Sequence, residues 1–235
     1  FTRFRYLALA AVVAAASAGA WAQAYPDKPV KVLMPWSDGF PANATRLYAN
    51  KLADRLKQPM VVDVRAGAGG ELAAKQVIQS TADGYALLST GSSITIRAVS
   101  DSQNADGERD LTPIAQLVTT PYVIVAKSGK YGSFQGFLDA ARAQPQAVNF
   151  ASAGVGTGMH YLGELLNANA GLKIVHVPYS TGSRQLQGVL AGDVQIAIIS
   201  LVTALPQITA GNLEALAVSS HKRRRVAPQV PTLRE

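Results

Sequence analysis

The sequence predicts an α/β protein of two lobes, each built from strands that alternate with helices. Short β-prone segments and amphipathic helical segments follow one another along most of the 235 residues, which is the pattern of βαβ units around parallel sheets. Hydrophobic residues make up 48% of the chain and charged residues 16%, so a substantial core can be buried. A polar stretch at 100–110 and a change of direction near Pro121 separate two groups of elements. We therefore expect one lobe from residues 25–112 and 213–235, and a second lobe from residues 113–212.

The N-terminal segment has the features of a secretory signal peptide. Arg3 and Arg5 precede an apolar run, Leu7 to Ala16, and Ala22-Gln23-Ala24 supplies a cleavage site with small residues at both key positions. The apolar run is too short to span a membrane comfortably. The chain has no cysteine, which excludes disulfides, thiolate metal sites and a cysteine nucleophile. We expect residues 1–24 to be a signal peptide and the protein to be exported.

The elements of the first lobe follow from apolar runs and turn signals. Asn43 is the expected N-cap of the first helix, which runs to about Lys57 with apolar residues on one side at Tyr48, Leu52 and Leu56. A second helix is expected from Glu71 to Ser80. The strands are expected at Val30–Met34, Met60–Val64 and Tyr85–Leu88.

The second lobe repeats the alternation of strands and helices. Helices are expected at Ser133–Ala143, after the glycine-rich loop near His160, and at Arg184–Leu190. Extended segments are expected at Ile114–Leu117, Tyr122–Ala126, Ala147–Phe150, Lys173–Val177 and Val194–Ile199. The last strand, Leu213–Val218, is expected to return to the first lobe.

The glycine-rich loop from Ser152 to His160 is the main functional signal. It lies between a strand and a helix with Leu162, Leu165 and Leu166 on one face, and glycines stand at positions 154, 156 and 158. Glycines bring backbone N–H groups close to a ligand, and a helix N-terminus adds unpaired donors and a positive dipole end. The pattern favours binding of a carboxylate or phosphate. Dinucleotide binding is disfavoured because Met159 breaks the GxGxxG motif and no acidic residue follows about 20 positions later.

Other candidate sites give weaker signals. His160 and Glu164 have metal-compatible spacing, but no third ligand is evident, and the chain has no GxSxG motif for a serine hydrolase. The basic run Lys222 to Arg225 lacks interleaved aromatic residues, so we expect a solvated loop and no nucleic-acid binding. Arg65 lies beside a glycine-rich turn, where it either contacts a ligand carboxylate or pairs with a neighbouring carboxylate.

Several motifs together resemble the periplasmic substrate-binding proteins of tripartite tricarboxylate transporters (the Bug or TctC-like receptors). These motifs are Tyr25-Pro26-Asp27-Lys28-Pro29-Val30, Arg65-Ala66-Gly67-Ala68-Gly69-Gly70, Asp83-Gly84-Tyr85, Phe150 to Thr157, His176-Val177-Pro178-Tyr179 and Val230-Pro231-Thr232. The resemblance implies a two-lobed periplasmic-binding-protein fold, type II-like, with a ligand cleft between the lobes. It also implies a monomeric, non-enzymatic periplasmic receptor without a cofactor, which delivers a small organic carboxylate to transporter membrane subunits. A sensing protein for a signalling partner, or a hydrolase on the same lobes, are the alternatives.

The resemblance implies that two loops clamp the ligand, Trp36 to Asn43 and Ser152 to His160. Together with the small polar strand ends, they give the expected ligand-binding residues: Trp36, Ser37, Asp38, Gly39, Asn43, Ser92, Ser152, Ala153, Gly156, Thr157, His160, Tyr179 and Ser200. No catalytic residue and no metal ligand is expected.

Three departures from the family pattern bear on the ligand and on stability. Phe40 follows Gly39 where a second glycine is usual, and Asn43 replaces a usual aspartate, which disfavours amino-acid ligands because a charge for an ammonium group is lost. Ser200 replaces another frequent aspartate. The sequence ends at Glu235, before elements that complete the first lobe in the family, so we expect an incomplete first lobe with exposed strand edges and poor stability in isolation.

Overall fold

The computed structural model describes residues 25–100 and 110–235. The expected signal peptide at residues 1–24 and most of the polar stretch at 100–110 lie outside these ranges. Within them, no helix combines the length and the hydropathy that crossing a bilayer requires.

The first sheet has three parallel strands in the order β2-β1-β3. Its strands are β1 (Val30–Met34), β2 (Met60–Val64) and β3 (Ala86–Leu88). Helix α1 (Gly39–Leu56) connects β1 to β2, and a short 3₁₀ turn (Ala68–Gly70) leads into α2 (Glu71–Ile78). Helix α3 (Ser93–Ser100) follows β3. The three predicted strands are confirmed, and the central strand β1 is the most buried of them.

The second sheet has five strands in the order β6-β5-β7-β4-β8. Strand β5 runs parallel to β6 and β7, whereas β4 runs antiparallel to β7 and β8. The strands are β4 (Tyr122–Lys127), β5 (Asn149–Ser152), β6 (Val175–Pro178), β7 (Ile196–Ser200) and β8 (Leu213–Val218). The helices are α4 (Phe134–Ala143), α5 (Gly158–Ala170), α6 (Gly182–Ala191) and α7 (Leu201–Thr209).

The core lies on both faces of the second sheet. Val123, Val125 and Ile199 belong to one buried cluster, whereas Ile124 and Ile198 belong to the other. This alternation follows from the two-residue period of a strand. Both faces are therefore covered, as the continuous apolar run at 194–199 predicts.

The prediction that 213–235 return to the first lobe is corrected by the strand pairing. Strand β8 pairs antiparallel with β4, from Val123↔Val218 to Lys127↔Leu213. The tail stays on the same sheet, because Leu233 N donates to Val218 O, and Ala227 and Val230 are buried in the cluster that contains Val123. The physical reason is that both the strand and the tail bury their apolar side chains against the second sheet.

Helix α1 differs from its prediction in its start and in its buried face. It begins at Gly39 with Asp38 as N-cap, so Asn43 lies inside the helix and is exposed. The buried residues are small: Ala42, Ala44, Thr45 and Ala49. The predicted apolar side of Tyr48, Leu52 and Leu56 stays 37–39% exposed.

Two helices and one loop were not anticipated. Helices α3 and α7 are not among the elements predicted from the sequence, and Ile114–Leu117, predicted to be extended, forms no strand in the described residues. The segment 111–119 is mostly exposed. In α5, Leu162 and Leu166 pack on the core as predicted, but Leu165 is 56% exposed.

Candidate functional site

A cleft of about 1640 Å³ lies between the two sheets. Its walls are the loops that follow β1, β2 and β3 on one side and β5, β6 and β7 on the other, and the segment 110–120 also lines it. These loops lie at the carboxyl ends of parallel strands, where ligands bind in open α/β sheets. The volume exceeds the roughly 300–1,000 Å³ of a typical ligand pocket, so the lobes have room to approach each other.

The cleft has an unusual charge distribution for a site that would bind an anion. Among the described residues that line it, Asp38 and Asp110 are the charged ones, and no lysine, arginine or histidine takes part. Hydroxyl groups and backbone donors are abundant instead. An anion in this cleft would therefore be held by dipoles and hydrogen bonds, not by ion pairs.

Several helices begin at the cleft, and α5, α6 and α7 among them have a hydroxyl N-cap. Thr157, Thr181 and Ser200 each accept a hydrogen bond from the third residue of α5, α6 and α7 at 3.2–3.3 Å. In α1 the N-cap Asp38 makes no side-chain capping bond. Capping by a hydroxyl satisfies only one of the first donors of a helix, so others stay available to a ligand.

The donors of the glycine-rich loop divide into those already bonded and those that are free. Gly154 N donates to Ser152 Oγ at 3.1 Å, and Gly156 N reaches His160 Nδ1 at 3.5 Å. With the Gln185 amide oriented to satisfy both of its neighbours, its oxygen accepts from Ala153 N at 3.1 Å. Within the described part of the chain, the N–H groups of Gly158 and Met159 at the start of α5 have no acceptor. The N–H group of Val155, a residue that is 62% exposed in the turn, likewise has no acceptor among the described residues. Gly158 and Met159 are therefore the free donors that the start of α5 offers to the cleft.

Two hydroxyl groups flank Gly158. A Cβ on this residue would stand 2.7 Å from Tyr122 Oη and 2.8 Å from Ser92 Oγ, so only glycine leaves the space open. Ser92 comes from the loop after β3 and Tyr122 from the start of β4. Two hydroxyls, one from each lobe, thus stand beside the residue that opens α5 and carries one of the free N–H groups.

The start of α6 is a useful contrast. Gly182 is also the first residue of its helix, but a Cβ there would meet only methyl groups, Thr203 Cγ2 at 3.4 Å and Ile199 Cδ1 at 3.6 Å. Apart from its chain neighbours Thr181 and Ser183, no hydroxyl stands within 4 Å of that position. The hydroxyl-flanked arrangement in the described residues belongs to α5.

The structure places eight of the expected ligand-binding residues in the cleft lining: Trp36, Ser37, Asp38, Gly39, Ser92, Ala153, Thr157 and Ser200. The other five lie outside the lining: Asn43, Ser152, Gly156, His160 and Tyr179. Each of the five has a physical reason, and for His160 it is that the ring packs on His176 and its Nδ1 faces Gly156 N. Asn43 is exposed inside α1, Ser152 is fully buried, Gly156 is bonded to His160, and the Tyr179 ring packs over Gly188.

Four residues near the free donors are not among those that the sequence predicts to bind the ligand: Gly158, Met159, Tyr122 and Gln185. Thr157 followed by a helical pattern is an N-cap signal, and it could have located the free donors of Gly158 and Met159. No local signal exists for Tyr122 and Gln185, because they come from other elements and reach the loop only in the folded chain.

The structure also bears on the weaker candidate sites. Arg65 forms an ion pair with Asp63 at 2.8 Å, so this arginine ties its own turn to a neighbouring carboxylate. No group of three potential metal ligands occurs in the described residues.

Ser152 Oγ lies 2.6 Å from His176 Nε2, but this serine is 0% exposed and does not line the cleft. A buried hydroxyl cannot reach a bound substrate, so the pair lacks the access that a nucleophile needs.

Comparisons with known proteins identify the family. Residues 44–235 match the model described as "Tripartite tricarboxylate transporter family receptor". Protein BugT of Bordetella pertussis is 32% identical over 235 residues, which are 98% of this chain and 71% of that protein. A UPF0065 protein of Pseudomonas sp. (strain P51) is 32% identical over 215 residues, which are 90% of this chain and 64% of that protein. The chain thus spans about two thirds of the length of these relatives.

Solved structures agree with the sequence matches. MatC (Rpa3494) from Rhodopseudomonas palustris with bound malate superposes with a TM-score of 0.80 at 27% identity, covering 89% of this chain and 73% of that one. R. palustris Rpa4515 with adipate gives a TM-score of 0.81 at 28% identity, covering 89% and 71%. The predicted periplasmic-binding-protein fold is confirmed, and the matched family consists of receptors, not enzymes. The chain belongs to the tripartite tricarboxylate transporter receptor family.

Proposed function

We propose that this protein is a periplasmic receptor that binds a small organic carboxylate in the cleft and delivers it to a tripartite tricarboxylate-type membrane transporter. The observation that carries the proposal is the set of free N–H groups of Gly158 and Met159, flanked by the hydroxyls of Ser92 and Tyr122. A carboxylate accepts hydrogen bonds from all four groups, and the N-terminal end of the α5 dipole favours its negative charge.

A second anchor for the ligand lies at the start of α1. The N–H groups of Gly39 and Phe40 have no acceptor among the described residues, and Asp38 does not cap them. A ligand with two carboxylates would engage α5 with one and α1 with the other. Malate and adipate, which the related structures contain, both have two carboxylates. Dicarboxylates are therefore the first class of ligand to test.

Contact with both lobes couples binding to closure. The lobes already touch beside the cleft, where a Cβ on Gly69 would stand 2.8 Å from Val155 O and 3.4 Å from Gly156 C. A ligand held by Ser92 from one lobe and Met159 from the other stabilises the closed arrangement by its contacts to both. A closed receptor is the form that a membrane partner can recognise, and the expected signal peptide at residues 1–24 brings it to the periplasm. We expect the receptor to act as a monomer.

Isothermal titration calorimetry with malate and adipate tests the proposal, using Gly158→Ala as the diagnostic variant. The added methyl displaces the Ser92 and Tyr122 hydroxyls from the donor pair, so we expect affinity to fall at least about tenfold. The matched control is Gly182→Ala, which adds the same methyl at the same position of α6 and meets only apolar groups. This control is expected to bind like the unmodified protein.

The outcomes distinguish the parts of the proposal. Absence of saturable binding for malate, adipate and a wider panel of organic carboxylates would reject carboxylate reception by this chain. Equal affinity of Gly158→Ala and the unmodified protein would reject the α5 N-terminus as the anchor. A loss in Gly182→Ala that matches the loss in Gly158→Ala would move the anchor to another helix.

A further inference from the structure

A buried hydroxyl lies directly beneath the glycine-rich loop. Ser152, the last residue of β5, is 0% exposed, so its hydroxyl depends on protein partners. One partner is His176 on β6, whose Nε2 lies 2.6 Å from Ser152 Oγ. The strand register explains the contact, because His176 pairs with Phe150 and its ring packs against the Phe150 ring at a centroid distance of 4.9 Å. Ser152 is two residues further along β5, on the same face.

The Ser152 hydroxyl is linked to the start of α5. Its Oγ accepts from Gly154 N at 3.1 Å and donates to Gly154 O at 3.3 Å. The same carbonyl accepts from Thr157 Oγ1 at 2.7 Å, and Thr157 is the N-cap of α5. A continuous path of hydrogen bonds therefore runs from His176 to the residue before the free donors of Gly158 and Met159.

Gly154 also shows that the loop conformation needs support. Its φ of 112° lies in a region that only glycine adopts readily, and nothing packs within 4 Å of the position where its Cβ would be. Packing therefore does not fix this residue. The hydrogen bonds to Ser152 and Thr157 are what hold it in the described structure.

A second histidine holds the other half of the loop. His160 on α5 packs on His176 with tilted rings at a centroid distance of 4.5 Å, and its Nδ1 is the acceptor that faces Gly156 N. Its Nε2 lies 3.8 Å from Glu164 Oε1. Because Nδ1 must be unprotonated to accept from Gly156, the proton of a neutral His160 ring stands on Nε2, toward Glu164.

We propose that His176 is a positioning residue for ligand binding: through the Ser152 hydroxyl it fixes the loop 153–157, and thereby the direction in which Gly158 and Met159 present their N–H groups to the carboxylate. This inference deepens the proposed function and rests on it for its effect on affinity. The effect on the loop itself does not depend on any ligand.

The electrostatic surroundings keep His176 in the form that this role needs. Burial and the charge of His160 lower the pKa of His176 below its ordinary value of 6.5, while Glu164 acts in the opposite direction. The titratable groups that face it are thus His160 and Glu164 of α5, and the neighbours from β5 are Ser152 and Phe150. The lowered pKa favours the neutral ring, and its Nε2 shares one hydrogen bond with the Ser152 hydroxyl.

Two substitutions of His176 separate positioning from packing. His176→Gln keeps a hydrogen-bonding group near the position of Nε2, and we expect malate and adipate affinity within about twofold of the unmodified protein. His176→Leu keeps much of the volume but leaves the Ser152 hydroxyl without this partner, and we expect affinity to fall about tenfold. Ser152→Ala is expected to weaken binding similarly, and the double variant to be no weaker than either single variant, because both remove the same link.

Hydrogen exchange of the Gly154 amide provides a readout without ligand. We expect exchange at Gly154 to be faster by about tenfold in His176→Leu and unchanged in His176→Gln. Ile174→Ala is the control for lost packing: Ile174 is 3% exposed just before the same strand, and its side chain belongs to the buried core cluster that contains Phe150. This control is expected to lower overall stability while leaving Gly154 exchange and affinity unchanged.

The results decide whether His176 positions the loop or only contributes packing. Equal impairment of His176→Gln and His176→Leu, or an equal effect of Ile174→Ala, would reduce His176 to a packing residue and overturn the inference. Unchanged Gly154 exchange in His176→Leu would overturn it as well. If the unmodified protein binds neither ligand, the proposed function fails for this class, and Gly154 exchange still decides whether His176 positions the loop.

Discussion

Gly163 sets the distance between α5 and the second sheet. A Cβ at this position would stand 2.2 Å from Phe150 Cε2 and 2.3 Å from Cζ, and Phe150 is itself fully buried. The absence of a side chain therefore lets the helix approach the ring that also packs on His176. The first turn of α5 carries the free N–H groups of Gly158 and Met159. The distance between the helix and the second sheet therefore also determines where these two groups lie relative to the sheet.

We expect Gly163→Ala to destabilise the protein by about 1–3 kcal/mol, because overpacking outweighs the gain of roughly 1 kcal/mol in helix propensity. Urea denaturation measures the difference. Asn169→Ala is the matched control, since Asn169 is exposed near the end of the same helix. It is expected to leave the free energy of unfolding unchanged or slightly higher. A Gly163→Ala protein as stable as the control would contradict this view of the helix contact.

The stability of the protein is expected to depend on pH through His176. Its pKa is lowered in the folded state by burial and by His160, against Glu164, so the unfolded chain binds its proton more readily. The contribution of this group is fully present above the unfolded value of about 6.5 and is lost as the pH falls from there toward the folded pKa. Thermal unfolding of the unmodified protein and of His176→Gln between pH 5 and 7.5 tests this. As the pH falls, the stability of His176→Gln should rise relative to that of the unmodified protein. A stability difference between the two that does not change with pH would contradict a lowered pKa of His176 in the folded state.

The burial of Ser152 shows how far residues could be assigned from the sequence. The order strand, glycine-rich loop, helix was correctly predicted from local pattern. The strand was expected to end at Phe150, although it extends to Ser152, and this extension puts the serine on the buried face of Phe150. Because the strand end was predicted two residues too early, Ser152 was expected to contact the ligand, whereas its hydroxyl is buried and supports the loop. The partner His176 belongs to another strand, and no local pattern could have identified the contact.

At the scale of elements, α1 shows why apolar periodicity selected the wrong face. The leucines at 52 and 56 follow a helical period, but the face with Ala42, Ala44, Thr45 and Ala49 is the one that packs. Small side chains let the helix approach the first sheet closely, as Gly163 does for α5. On the other face, the Tyr48 hydroxyl donates to Leu117 O at 3.0 Å, which ties the helix to the segment 110–120. Periodicity identifies a helix reliably, whereas the choice of its buried face depends on what the rest of the fold supplies.

Two substitutions in α1 test this assignment of faces. Ala49 is 2% exposed, so Ala49→Leu is expected to cost about 1–3 kcal/mol by overpacking. Leu52 is 38% exposed, and Leu52→Ser is expected to cost about 1 kcal/mol or less. Chemical denaturation of both variants gives the comparison. If Leu52→Ser proves the more damaging change, the leucine face is the packed one, as the sequence pattern alone indicates.

At the scale of the whole molecule, the positions of the strands in the sequence were predicted better than the sheet to which each strand belongs. The segment Leu213–Val218 was recognised as a strand with the correct bounds but placed in the wrong lobe. Its sequence is apolar enough to be buried in either sheet. The choice is made by the free edge of β4 and by the tail residues that follow, which are contacts between distant parts of the chain.

Strands β2 and β3 of the first sheet are less buried than β4 and β7 of the second, and this difference predicts unequal local stability. In the second sheet β7 is buried along its length and β4 is buried from Val123 to Ala126, whereas β2 and β3 of the first sheet have no fully buried residue. Fewer buried apolar contacts lower the free energy of local opening. We therefore expect amides of β2 and β3 to exchange at least about tenfold faster than those of β4 and β7, measured by hydrogen exchange with mass spectrometry.

Ligand binding is expected to reduce that difference, because the anchors lie in both lobes. Malate or adipate at saturating concentration should increase the protection of amides at the start of α1 and at Gly158 and Met159. Protection should also increase in β1 to β3, because the ligand binds the first lobe only when that lobe is folded. The protection of β4 and β7 should change least. Gly158→Ala with the same ligand concentration is the control and should show no such increase. Equal protection of both sheets in the free protein would contradict the unequal stability and would indicate that the two lobes open as one cooperative unit.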